Sequence, residues 1–74
     1  MLALTRAYPK AATELRAAIR LSPRLPQAHT DLGDVLRAMG RFDEAAHEYA
    51  LAIQANPSDE DARRGLDALR ANRP

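Results

Sequence analysis

The stretch PQAHTDLGDVLRAMGRFDEAAHEYALAIQANPSD, residues 26–59, holds most of what decides how this chain folds. Pro26 suits the first turn of a helix, where its missing N–H would lack a partner anyway. His29, Leu32, Val35, Leu36 and Met39 then follow the 3.6-residue period until Gly40 supplies a stop. Asp43 and Glu44 open a second segment just after Phe42. In it Ala45, Tyr49, Ala52 and Ile53 recur at helical spacing until Pro57.

The same punctuation continues outward. On the N-terminal side a helix is predicted from near Pro9 to Leu21, with Ala11, Leu15, Ala18 and Ile19 on its apolar face, and Pro23 and Pro26 after it. On the C-terminal side Ser58, with Asp61 three residues on, resembles a capping box. Ala62, Leu66 and Leu69 follow as one narrow stripe on an otherwise polar helix. No segment alternates with period two over strand length, so about four helices and no sheet are expected.

Two of these segments are copies of one another. Residues 8–23 (YPKAATELRAAIRLSP) align without a gap on residues 42–57 (FDEAAHEYALAIQANP) at an offset of 34, and six of the sixteen pairs are identical. A fixed period of this size marks stacked repeats, in which each unit needs a neighbour to cover its apolar face. The pattern His29-x2-Leu32-Gly33-x2-Leu36, then Ala45-x3-Tyr49, with Ala52 and Pro57 following, resembles the tetratricopeptide repeat family. His29 stands where that family favours tryptophan, and Leu36 where it favours tyrosine.

The resemblance implies an all-α fold, antiparallel helix-turn-helix units stacked as a short right-handed α-solenoid. It divides the single domain into a partial first repeat (1–25), a complete repeat (26–59) and a capping helix (60–74). Physically, Gly33 lowers helix propensity by about 1 kcal/mol relative to alanine, which makes sense where another helix crosses over it. Ala45 and Ala52 would face that crossing, with Leu32, Leu36, Phe42 and Tyr49 around it. Because the resemblance begins in mid-repeat, the face carrying Ala11, Leu15, Ala18 and Ile19 is expected to lack its natural partner. Either the chain is a fragment of a longer array or another copy covers that face.

Composition narrows the chemistry. A chain of 74 residues buries only roughly 60 to 65% of its unfolded surface, and it has no cysteine to form a disulfide or a thiolate zinc site. Sixteen alanines and three aromatics point to closely packed helices. The net charge of +1 gives no bulk attraction to nucleic acid, although residues 1–42 are net basic and 43–74 net acidic. Asp43, Glu44, Asp59, Glu60 and Asp61 fit the positive ends of two helices, and the same asymmetry would suit head-to-tail association. No apolar stretch approaches the roughly 20 residues needed to span a bilayer, and no signal-type segment follows Met1. A soluble, cytoplasmic chain is expected.

No catalytic, cofactor-binding or metal site emerges. His29 reads as a packing residue and His47 as a solvent-facing one, since the sequence from His47 to Leu51 lacks the second histidine of a zinc-protease motif. Asp31 and Asp34 lie a turn apart, but Arg37 is placed to pair with Asp34. Gly33, Gly40 and Gly65 are isolated, with no glycine-rich phosphate loop. Arg16, Arg20 and Arg24, four apart, would form one basic edge of the first helix and provide the alternative reading, weak nucleic-acid contact.

The resemblance implies a non-catalytic scaffold for protein interaction, binding a peptide or protein partner whose identity is open. The groove positions that correspond are Gln27, Thr30, Asp31, Asp34 and Arg37 in the whole repeat and Asp61, Arg64 and Ala68 in the last helix. Relatives that clamp acidic chaperone tails use lysines and asparagines there, whereas Thr30, Asp31 and Asp34 hold the central places in this chain.

Overall fold

A computed structural model describes residues 2–71. Four helices follow one another: α1 (Leu2–Leu21), α2 (Pro26–Ala38), α3 (Phe42–Ala55) and α4 (Glu60–Ala71), with no strand among the described residues. Met1 and residues 72–74, the outer tips of the first and last expected segments, lie outside them. Each helix packs on the next, and α2 also meets α4, whereas the backbones of α1 and α3 do not approach one another among the described residues. The array is therefore tighter on the side of α2 and α4, as expected of a short solenoid that curves toward that side.

α1 differs from its expected form. It begins at Leu2, and Pro9 lies inside it. Proline removes one interior hydrogen bond and bends a helix without having to end it, and Leu2, Ala3, Leu4, Arg6 and Ala7 are good helix formers on its N-terminal side. The Thr13 hydroxyl donates to the Pro9 carbonyl at 3.0 Å, one turn further on.

α2 ends as glycine allows. Gly40 has φ of 82°, a left-handed conformation in which other residues are strained. Its N–H donates to the Arg37 carbonyl (3.0 Å) and the Arg41 N–H to that of Leu36 (2.9 Å), the paired bonds of a Schellman turn. α3 then starts with Asp43 and Glu44 in its first turn, as the charge asymmetry suggests.

The start of α4 is capped by Asp59 in place of the expected Ser58. The Asp59 Oδ1 atom accepts from the Ala62 N–H at 3.1 Å, while the Ser58 N–H donates to Asn56 Oδ1 at 3.2 Å. Serine is one residue too early, because Asn56 and Pro57 place the turn so that the chain enters the helix at Asp59.

The core runs between the helices as a single cluster of Ala12, Leu32, Leu36, Ala45, Tyr49, Ala52, Ala62 and Leu69. Ala45 and Ala52 are fully buried, as the crossing at Gly33 requires. Phe42, expected beside them, is instead 47% exposed. It is the first residue of α3, so its side chain lies beyond the end of the helix crossing. On α1, Ala12 is buried although it falls outside the predicted stripe. Ala11, Leu15, Ala18 and Ile19 are half-buried, and Leu15 and Ile19 pack against the core.

Candidate functional site

The surfaces of this molecule are set by one side chain at its centre. Tyr49, on α3, is wholly buried, and its ring lies between two glycines. A β-carbon on Gly33 of α2 would come within 2.7 Å of Tyr49 Cε1, and one on Gly65 of α4 would come closer still to the same ring. Glycine at both positions thus lets two helices close on the ring from either side. The role of Gly33 was legible in the sequence as a helix crossing. That of Gly65 was not, since it reads as an isolated glycine on a polar helix.

The phenol reaches the far side of the clamp and donates to Asp34 Oδ1 at 2.5 Å. Burial, reinforced by that hydrogen bond and by the Asp34 charge, pushes the Tyr49 phenol far above its ordinary value, and Arg37 opposes the shift. Arg37 approaches Asp34 at 3.8 Å and stands 6.0 Å over the Tyr49 ring, which fits the expected pairing and adds a cation–π contact.

A second set of polar contacts holds the helices in register. His29 is 7% exposed, in agreement with its reading as a packing residue, but it also bonds at both ring nitrogens: Nδ1 lies 2.8 Å from Glu48 Oε1 and Nε2 lies 3.1 Å from the Pro23 carbonyl. One ring therefore ties α2 to α3 and to the turn after α1. The Thr30 hydroxyl donates to Asp59 Oδ2 at 2.7 Å, linking α2 to the cap of α4. Thr30 is 2% exposed, so this groove position positions α4 and offers little to a partner. Neither Glu48 nor Asp59 carries a sequence signal for these roles, because both contacts depend on how the helices are rotated against one another.

The other residues expected to line a groove lie on α2 and α4. Gln27, Asp34, Asp61 and Arg64 are exposed, and Asp31, Arg37 and Ala68 are half-buried. The Gln27 amide donates to Asp31 at 3.5 Å. Where α2 and α4 begin, Gln27, Asn56, Ser58, Asp59, Glu60 and Asp61 line an open depression of about 370 Å³. Three of these six side chains are carboxylates, so this depression is acidic.

The basic edge does not form as predicted. Arg16 and Arg20 are on α1, but α1 ends at Leu21 and Arg24 lies in the following turn. Arg16 pairs with Glu44 of α3 at 3.3 Å, an acid distant in sequence that the linear reading did not place there. His47 is exposed. Among the described residues no three His, Cys, Asp or Glu side chains are grouped to hold a metal ion, and no helix is long and apolar enough to cross a membrane.

Comparison with known proteins agrees with this geometry. The family model described as tetratricopeptide repeat matches residues 26–59, the unit formed by α2, α3 and the turn leading to α4. The small glutamine-rich tetratricopeptide repeat-containing protein 2 of Mycosarcoma maydis is 30% identical over 61 residues, which cover 82% of this chain and 17% of that protein. The chain thus spans about a sixth of the length of this curated relative. No solved structure matches the chain at a significant level. Four stacked helices, the Gly33–Tyr49 crossing and the match over a whole 34-residue unit agree, and residues 26–59 form a unit of the tetratricopeptide repeat family.

Proposed function

We propose that the chain is a non-catalytic protein-interaction module that holds a peptide segment along the groove of α2 and α4. The supporting observation is the clamp on Tyr49, which packs α2 and α4 closely against α3 while Gln27, Asp34, Asp61 and Arg64 stay exposed. A preorganised groove loses little entropy on binding. Its floor carries Asp31, Asp34 and Asp61 against Arg37 and Arg64, and its end adds Asp59 and Glu60. The excess of carboxylates favours neutral or basic peptides and disfavours acidic tails. The nucleic-acid alternative is weakened by the Arg16–Glu44 pair and by the departure of Arg24 from the helix edge.

An array of extended peptides graded in charge tests this reading. Capture of lysine- and arginine-bearing peptides is expected, with at least tenfold weaker binding after Asp31→Lys and Asp61→Lys together. Absence of binding to every peptide, or binding unchanged by the double substitution, would overturn it. Salt-sensitive binding of a labelled single-stranded oligonucleotide, lost in Arg16→Ala with Arg20→Ala, would favour the alternative.

A further inference from the structure

The 34-residue offset that relates α1 to α3 also relates α2 to α4, and it gives a use to a second depression on the molecule. That depression, about 430 Å³, is lined by Ile53, Arg63, Leu66, Asp67 and Arg70. Each of these residues stands 34 positions after one of Ile19, His29, Leu32, Gly33 and Leu36. His29, Leu32, Gly33 and Leu36 are buried under α3, and Ile19 packs against the same core. The open depression on α3 and α4 is therefore the place that α3 fills one unit earlier, without its helix.

The complementary face lies at the other end of the molecule. α3 fills its place on α2 with Ala45, Glu48, Tyr49 and Ala52, and the three apolar ones are fully buried. The residues 34 positions earlier are Ala11, Glu14, Leu15 and Ala18 on α1, where the apolar three are only half-buried and Glu14 is exposed. Charge matches as well. Where His29 meets Glu48 in the closed pair, Arg63 would meet Glu14, with a stronger donor in place of imidazole. Size also matches, because the Tyr49 atoms that forbid a β-carbon at Gly33 belong to its ring. Leucine at position 15 has no ring, so it leaves room for the Asp67 side chain that stands in place of Gly33. Asp67 in turn has Arg63 and Arg70 one turn away on its own helix.

We infer that α4 of one copy receives α1 of a second copy in this depression, so that two chains complete a further repeat between them, head to tail. α4 is then an acceptor for the next helix rather than a cap. The contact is heterologous, so it repeats from copy to copy until it closes or is blocked. This inference rests on the reading of the chain as an interaction module but uses a different face from the peptide groove.

Light-scattering chromatography over a wide concentration range tests it, with circular dichroism reporting helix content. The wild type is expected to rise above 8.1 kDa with concentration. Leu15→Glu, which spoils the inserted face, and Leu66→Glu, which spoils the depression, should each be monomeric. Mixed in equal amounts, they should form a 1:1 dimer that grows no further, since one copy keeps a good depression and the other a good α1.

Glu14→Arg and Arg63→Glu alter exposed positions and so spare the fold even if the leucine changes do not. Each should weaken association at least tenfold, and mixing the two should restore it. A wild type that is monomeric throughout would overturn the inference, and so would association that survives Leu66→Glu. Two copies joined through α1 alone would appear as loss in Leu15→Glu, no loss in Leu66→Glu and no rescue on mixing. Loss of peptide capture in the groove variants with association intact would separate failure of the functional reading from failure of this one.

Discussion

α2 and α3, and 34 residues away α4 and α1, occupy corresponding places of the same repeat, yet the first two close on one another and the last two do not meet among the described residues. In the closed pair, Leu32, Leu36, Ala45, Tyr49 and Ala52 are buried together and His29 bonds to Glu48 across the seam. At the corresponding positions 34 residues away, α4 has Leu66 and Arg70, and α1 has Ala11, Leu15 and Ala18. Arg70 is exposed and the other four are half-buried. The difference lies in the company each helix keeps, since a unit of this kind gains its stability from neighbours as much as from itself. The closed pair is a packed frame, and the open faces stay half-buried or exposed.

The comparison breaks most sharply at Leu36 and its counterpart. Leu36→Ala should destabilise by about 2–5 kcal/mol, because a fully packed side chain leaves a cavity behind. Arg70→Ala, at the equivalent place on α4, should change stability by no more than about 0.5 kcal/mol in the monomer. Urea unfolding followed by circular dichroism measures both, and similar losses at the two sites would show that the closed pair is not special.

Gly65→Ala should come next, at roughly 1–3 kcal/mol of overpacking against the Tyr49 ring, offset by about 1 kcal/mol of improved helix propensity. With Tyr49→Leu present the ring is gone and the same substitution should become stabilising. A Gly65→Ala change that stabilises the wild-type background would rule out the clamp.

Asp59→Ala removes the helix cap and the acceptor of Thr30 at once, so a loss of about 0.5–2 kcal/mol is expected. Ser58→Ala should have a clearly smaller effect, and the reverse order in thermal melts would return the cap to Ser58.

A further effect concerns pH. The Tyr49 phenol titrates above its ordinary value of 10.0, so the stability it contributes is complete below that pH and is lost as the pH rises beyond it. Tyr49→Phe should lose less stability than the wild type between neutral pH and strongly alkaline pH. Parallel decline of the two proteins would mean that the phenol is neither desolvated nor held by Asp34 in the folded chain.

Much of this architecture was legible in the sequence. The helices and the 34-residue offset follow from spacing, and Gly33 against a crossing helix with the alanines at 45 and 52 follows from the family resemblance that this spacing carries, because contacts inside one helical hairpin repeat with the helix turn. Contacts between hairpins do not. Glu48 under His29, Asp59 under Thr30 and Gly65 beside Tyr49 depend on the rotation and tilt of one helix against another, which no window of sequence contains. Phe42 shows the opposite error, since an aromatic at a helix start has the right composition for a core and the wrong position. Among the residues that the resemblance assigns to a groove, Gln27, Asp34, Asp61 and Arg64 are exposed, but the resemblance does not separate them from Thr30, which the fold consumes.

Amide hydrogen exchange on the dilute, monomeric protein tests most directly whether the molecule has a closed centre and open ends. Slow exchange should be concentrated in α2 and α3, with α4 and α1 opening at lower free energy because each lacks a helix on one face. Equal protection across all four helices, or slower exchange in α1 than in α3, would contradict the account.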